Sequence, residues 1–172
     1  NHKYSDLSEN SYGIALINDC KYGLSVNEGS MRLSLHKGGL RPDKEGDMGR
    51  HVCRYAILPH CEGFSAQSVI QPAYEFNYAP LAISGNADVT PLASVDAKNV
   101  IVESVKPCED AQHAYILRLY EAAGDYANAN LTFGHAVKRL SICNMLEEEQ
   151  SELDGTSLTF KPFQIRTVKV EY

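Results

Sequence analysis

Apolar and polar residues alternate with a period of two, in short runs separated by turn signals, along most of this chain. That period places successive side chains on opposite faces of a strand and is incompatible with a helical stripe. Met31, Leu33 and Leu35 fall on one face, and Arg32, Ser34 and His36 on the other. Residues 51–58 read as a strand that stops at Pro59, with Tyr55 and Ile57 on one side and Arg54 on the other. Residues 99–106 and 113–121 read as a hairpin-like pair closed by the polar segment 107–112. Leu131 and Phe133 mark a further strand, and 158–160 and 163–170 end the sequence, split by Pro162. Helix signals are weak: 145–153 is acidic, with room for a turn or two but no sustained apolar stripe. The pattern predicts an all-β fold.

Gly, Asn, Asp, Pro and Ser cluster over 84–98, the best candidate for an internal boundary. We divide the chain there into 1–90 and 91–172, both β-rich. Ten Tyr and no Trp fit strand usage. The net charge of −6 argues against a nucleic-acid-binding surface, which needs a basic stripe. No apolar run approaches the ~20 residues of a membrane-spanning helix. The first residues, Asn1-His2-Lys3-Tyr4-Ser5, are neither a signal peptide nor a natural start, so we expect a chain that begins mid-protein. Five cysteines (20, 53, 61, 108 and 143) at irregular spacing give no disulfide framework. We read them as reduced thiols of a cytoplasmic protein.

The densest chemistry lies between Gly38-Gly39 and His51. Asp43, Glu45 and Asp47 sit close together, with Arg41, Lys44 and Arg50 at hand to pair with them. Glycoside hydrolysis needs two carboxylates, but three on one loop more often form a salt-bridged loop or a substrate rim. Lys37, Arg41, Asp43, Asp47, Arg50 and His51 are the candidate rim residues, and no residue is assigned a catalytic role. His51, Cys53, His60 and Cys61 resemble a metal set superficially. Zinc sites show short chelate spacings, and His60-Cys61 point opposite ways in a strand, so a buried thiol and a hydrogen-bonded histidine read better. Arg118, inside an apolar strand, calls for a carboxylate partner such as Glu103 or Glu121. A nucleophile elbow and a phosphate-binding glycine loop are both absent from the sequence.

Several segments, in order, resemble the C-terminal region of the family 38 glycoside hydrolases, the α-mannosidases, in the bacterial and cytosolic branch. They are 6–9 with 12–16, Asn18-Asp19-Cys20-Lys21-Tyr22-Gly23, Arg32-Leu33-Ser34-Leu35, Asp47-Met48-Gly49-Arg50-His51 with Tyr55-Ala56, Val69-Ile70 with Ala73-Tyr74, 99–103, 117–121 and 161–167. Where the family pattern leads us to expect an Arg after Arg32-Leu33-Ser34-Leu35, this chain has His36-Lys37.

The resemblance implies part of a large, galactose-mutarotase-like β-supersandwich followed by a smaller C-terminal β-sandwich. It also implies that the nucleophile, the acid/base and the zinc ligands of a retaining α-mannosidase lie in an N-terminal catalytic domain of the same polypeptide. On this reading the chain itself holds no cofactor. Its partners are that catalytic domain and a mannose-containing oligosaccharide, with no nucleic acid and no membrane, and an exposed edge or face is expected to favour homo-oligomers. An autonomous carbohydrate-binding module is the alternative, although such modules stack sugars on exposed aromatics, Trp most of all.

Overall fold

A computed structural model describes residues 1–87 and 89–172, so Asp88, inside the 84–98 stretch, lies outside the described residues. The chain forms two compact units, Asn1–Ile83 and Ser84–Tyr172. It is all-β, with 43% of residues in strands and 7% in helix.

The first unit is built on a three-stranded antiparallel sheet. Its strands are β1 (Tyr4–Ser8), β2 (Tyr12–Asn18) and β5 (Tyr55–Cys61), with β2 in the centre. Between β2 and β5 the chain makes a two-stranded ribbon, β3 (Leu24–Asn27) and β4 (Ser30–Leu33), and then the charged loop. The strand expected over 51–58 begins at Tyr55 and runs through Pro59 instead of stopping there. β5 is an edge strand, and an edge accepts a residue with no N–H to donate.

After β5 comes the one helical segment among the described residues, a π-helical turn Ala66–Ile70 that continues into α1 (Gln71–Asn77). Ser65 caps it reciprocally with Ser68, at 3.0 and 3.1 Å, and Pro72 sits in the first turn of α1, where its missing N–H costs nothing. Ala66, Val69, Ile70 and Ala73 are buried at helical spacing. On the sheet, Gly13, Ala15 and Ile17 form the equally buried face of β2.

The second unit is a sandwich of a five-stranded and a three-stranded sheet. The larger follows the order β11 (Glu149–Glu152), β10 (Arg139–Cys143), β13 (Ile165–Glu171), β8 (Ala114–Glu121) and β7 (Val100–Pro107). The smaller follows β12 (Ser157–Phe160), β9 (Ala127–Phe133) and β6 (Ala93–Val95). Leu117, Leu119, Val168 and Val170 from the larger sheet meet Ala129, Leu131, Leu158 and Phe160 from the smaller in one core. The hairpin pair is formed by β7 and β8, with a bulge between Val102 and Ser104.

The acidic segment 145–153 is not helical. Asn144 Oδ1 caps a turn by accepting from Leu146 N and Glu148 N at 2.9 and 3.0 Å, and the chain then pairs as β11 against β10. Glu149 lies there between Arg139 Nη2 at 2.8 Å and Lys169 Nζ at 2.9 Å, which offsets its charge within a sheet.

Glu121 closes the end of β8 as a fully buried carboxylate. It accepts from the backbone N–H groups of Ala123 (2.8 Å), Gly124 (2.8 Å), Asp125 (3.2 Å) and Phe163 (3.0 Å), and from Asn99 Nδ2 (2.9 Å). Burial pushes its pKa up, but these donors outweigh burial and hold it below the usual range. Glu121 is therefore not the partner of Arg118: an odd spacing along the strand sets the two on opposite faces. Arg118 Nη2 donates to the Met145 carbonyl at 3.3 Å.

Candidate functional site

The charged loop spans 34–54 and is exposed throughout, apart from half-buried Cys53. It is organised by its carboxylates, but through backbone contacts rather than ion pairs. Asp47 Oδ2 accepts from Gly39 N at 3.1 Å, and Asp43 Oδ1 accepts from Glu45 N at 2.9 Å. His51 Nε2 lies 2.9 Å from Asp47 O, and the His36 and His51 rings are 4.5 Å apart. Asp47, His36 and His51 thus draw the two ends of the loop together.

The pairing of Arg41, Lys44 and Arg50 with these acids, expected from the sequence, does not form among the described residues. In water such pairs gain little, and short Asp side chains reach neighbouring amides more readily. Lys37, Arg41 and Arg50 project their charges outward. Leu40, Met48 and Val52, 80, 78 and 72% exposed, lie in the same loop. A loop that presents cations and bare apolar side chains together carries groups suited to a contacting surface.

Beside the ribbon, the sheet has a second feature that alternation makes possible and the linear sequence conceals. β2 pairs with β1 and β5 so that Leu7, Ile14, Pro59 and, one pair along, Leu16 and Ile57 share the face opposite the one carrying Gly13, Ala15 and Ile17. Tyr12, Ile14 and Ile57 on this face are 57, 40 and 68% exposed. Gly29 and Met31 from the ribbon form one wall over it, leaving an apolar groove of about 590 Å³.

On the other face the packing is polar and tight. His60 Nε2 and Asp6 Oδ1 are 2.8 Å apart, both side chains almost wholly buried, and Ser8 Oγ donates to Asp6 Oδ2 at 2.6 Å. His60 reaches Asp6 across Gly13: a Cβ there would lie 2.5 Å from the His60 ring and 2.4 Å from Ser8 Cβ. His60 is thus committed to Asp6 and His51 to the loop, and Cys61 points to the opposite face from His60. Among the described residues no three His, Cys, Asp or Glu side chains are grouped to hold a metal ion. All five cysteines are free.

Arg54, read from the sequence only as the polar side of a strand, is the residue that fixes where the loop returns. Its N–H and Nε donate to the two Asp19 oxygens at 3.0 and 3.1 Å, Nη2 donates to Phe76 O at 3.2 Å, and the guanidinium lies 5.0 Å from the Phe76 ring centroid. The backbone N–H of Arg54, with the Cys20 thiol and the guanidinium, holds the Asp19 carboxyl down at about 2.

Residues 1–45 match the family described as "Glycosyl hydrolases family 38 C-terminal domain", and residues 99–168 match "Glycosyl hydrolases family 38 C-terminal beta sandwich domain". The chain matches both C-terminal domains of glycosyl hydrolase family 38. The two matched segments fall one in each compact unit, and the first reaches Lys37, Arg41 and Asp43.

Individual relatives agree with these matches. Alpha-mannosidase 2C1 of Mus musculus is 37% identical over 179 residues, 97% of this chain and 17% of the relative. Alpha-mannosidase 2C1 of Homo sapiens is 36% identical over 176 residues, 95% of this chain and 17% of the relative. An Alpha-mannosidase of Saccharomyces cerevisiae is 31% identical over 201 residues, covering 99% of this chain and 18% of the relative. The chain spans about 17% of the length of the curated relatives it matches and corresponds to their C-terminal, non-catalytic domains. No helix among the described residues is long and apolar enough to cross a membrane.

Proposed function

We propose that the chain serves as the supporting C-terminal β-region of a retaining α-mannosidase of the bacterial and cytosolic type. Its open sheet face packs against the rest of that polypeptide, and its charged loop reaches the rim of the sugar site. The single observation that carries this reading is the apolar face of Leu7, Tyr12, Ile14 and Ile57 in the first unit. Burying such a face is worth about 25 cal/mol per Å², and stable domains do not leave it bare. Without its cover the same face favours self-association. The loop adds cations suited to sugar hydroxyls or carboxylates at Lys37, Arg41 and Arg50, on a frame set by Asp43, Asp47 and His51. Zinc and the reacting carboxylates belong to the catalytic domain, whose substrates are α-mannosides. Five unpaired thiols support a reducing, cytoplasmic compartment.

The test is Ile14→Asp with Ile57→Asp in a full-length enzyme carrying this region. Loss of activity together with a loosened domain, while the isolated chain still folds, is expected; full activity overturns the reading. The isolated chain should hydrolyse no aryl α-mannoside, with or without zinc.

A cleft in the second unit favours a carbohydrate-binding module as second reading. It is a cleft of about 450 Å³ lined by Leu92, Val105, Tyr115, His135 and Tyr172, with the Tyr115, His135 and Tyr172 rings 5.4–5.9 Å apart. Titration of the isolated chain with mannose and mannobiose separates the two: a module binds alone, a supporting domain does not.

A further inference from the structure

The β2/β5 ladder does not end where the regular strands do. Its pairs run from Tyr12 opposite Cys61 to Asn18 opposite Tyr55. The next pair is Asp19 and Arg54: Asp19 N donates to Arg54 O at 3.2 Å, and both Asp19 oxygens accept from Arg54. One step further, beyond the last paired residues, continuation of the same register would set Cys20 opposite Cys53. Cys20 Sγ lies 3.9 Å from Val52 O, so the chain at Cys20 still lies against the returning loop.

Hydrogen-bonded and non-hydrogen-bonded pairs alternate in an antiparallel ladder. Asp19 with Arg54 keeps one bond of the first kind, Asp19 N–H to Arg54 O, while the Arg54 N–H turns to the Asp19 side chain. Ser11 with Glu62, whose N–H donates to Ser11 O at 2.9 Å, falls in the same phase at the other end. Continued one step, that phase would make Cys20 with Cys53 a pair of the second kind, where Cα atoms approach to about 4.5 Å. A disulfide accepts Cα separations of about 4.4–6.8 Å, a range that includes this spacing. Cys20 is exposed and Cys53 half-buried, so a small oxidant reaches both. Cys61 and Cys143, by contrast, stand opposite Tyr12 and Thr167.

We infer that Cys20 and Cys53 are a redox pair whose disulfide fastens the return of the charged loop to the end of β2. The oxidant is a low-molecular-weight disulfide such as oxidised glutathione. The thiolate of Cys53 attacks one of its sulfurs and releases one small thiol. Cys20, deprotonated, then attacks the mixed disulfide at the Cys53 sulfur and releases the second. Two protein thiols are oxidised, one small disulfide is reduced to two thiols, and the two protons end on those thiols. The hydrogen bond from Cys20 to the Asp19 carboxylate favours the protonated thiol and pushes its pKa up, which disfavours Cys20 as the first attacker. The ring so closed contains the β3–β4 ribbon and all six candidate rim residues, which lie between Lys37 and His51. This inference stands on the first unit alone and does not depend on the supporting role proposed above.

The experiment treats the folded chain with oxidised glutathione and follows it by thiol counting, non-reducing peptide mapping and urea unfolding. The count should fall from five to three, with one link joining Cys20 to Cys53. Cys20→Ser and Cys53→Ser should each abolish the link, and Cys61→Ser should leave it intact. The unfolding midpoint of the first unit should rise on oxidation, because a bridge that fits the native register constrains only the unfolded chain. Five remaining thiols, separate glutathione adducts, a link to another cysteine, or a lowered midpoint would each overturn the inference.

Discussion

The backbone N–H of Phe163 donates to Glu121 Oε2 at 3.0 Å across 42 residues of sequence. Phe163 has a φ of 57°, an uncommon conformation for a bulky residue, and the bond to Glu121 holds it there. The Phe163 ring then lies over Gly124, where a Cβ would come within 2.7 Å of it. One carboxylate thereby joins the turn after β8 to the turn before β13.

Glu121→Ala should be among the most damaging substitutions in the second unit. It strands four backbone N–H groups and the Asn99 amide, and each buried donor left unpaired costs about 1–3 kcal/mol. A loss of at least about 3 kcal/mol in denaturant unfolding is expected, with the first unit unaffected.

Gly13→Ala should destabilise the first unit by about 1–3 kcal/mol, because the added methyl meets Ser8 and the His60 ring inside 2.6 Å. The imidazole must withdraw from Asp6, so His60 chemical shifts should move along with the unfolding midpoint. An unchanged midpoint would show that the neighbouring strands yield freely.

Acid should weaken the second unit through Glu149, whose carboxyl Arg139 and then Lys169 hold down at about 2 against an ordinary value of 4.5. Because the folded pKa is the lower one, its contribution is complete above the unfolded value and is lost as pH falls from there through the folded pKa. Glu149→Gln should flatten the acid limb of stability between roughly pH 4.5 and 2 and leave neutral stability lower than wild type. Unfolding curves at stepped pH check this.

Asp47→Ala should free the loop without unfolding anything. The Gly39 amide loses its acceptor in an exposed segment, so stability should change by less than about 0.5 kcal/mol while hydrogen exchange over 38–51 accelerates. In a full-length enzyme, Asp47→Ala and Arg50→Ala should lower activity or domain docking. Full activity in both would leave the loop a solvated turn.

The strands were legible because a period of two survives single-residue inspection: β7, β8, β9, β12 and β13 fall where the alternation puts them. The helical segment was not, although Ala66, Val69, Ile70 and Ala73 carry a helical stripe behind a Ser65 cap. It is short, and Pro72 reads as a breaker until its place in the first turn is known. The loop's charges were legible, but not their partners. Counting opposite charges favours ion pairs, whereas Asp43 and Asp47 satisfy themselves on amides two to eight residues away. The open face of Leu7, Ile14 and Ile57 comes from two registers together, which no single segment encodes.

Pro59 occupies a non-hydrogen-bonded position opposite Ile14, so the valence it lacks is the one turned away from β2, toward the free edge. A further strand arriving there would find a ring where it needs a donor. The free edge of β5 is therefore blunted in its middle, and a strand pairing along it would go short of a bond at Pro59. A flat approach, onto the broad surface of Ile14 and Ile57, meets no such gap, so one missing hydrogen tilts the geometry of assembly toward that face.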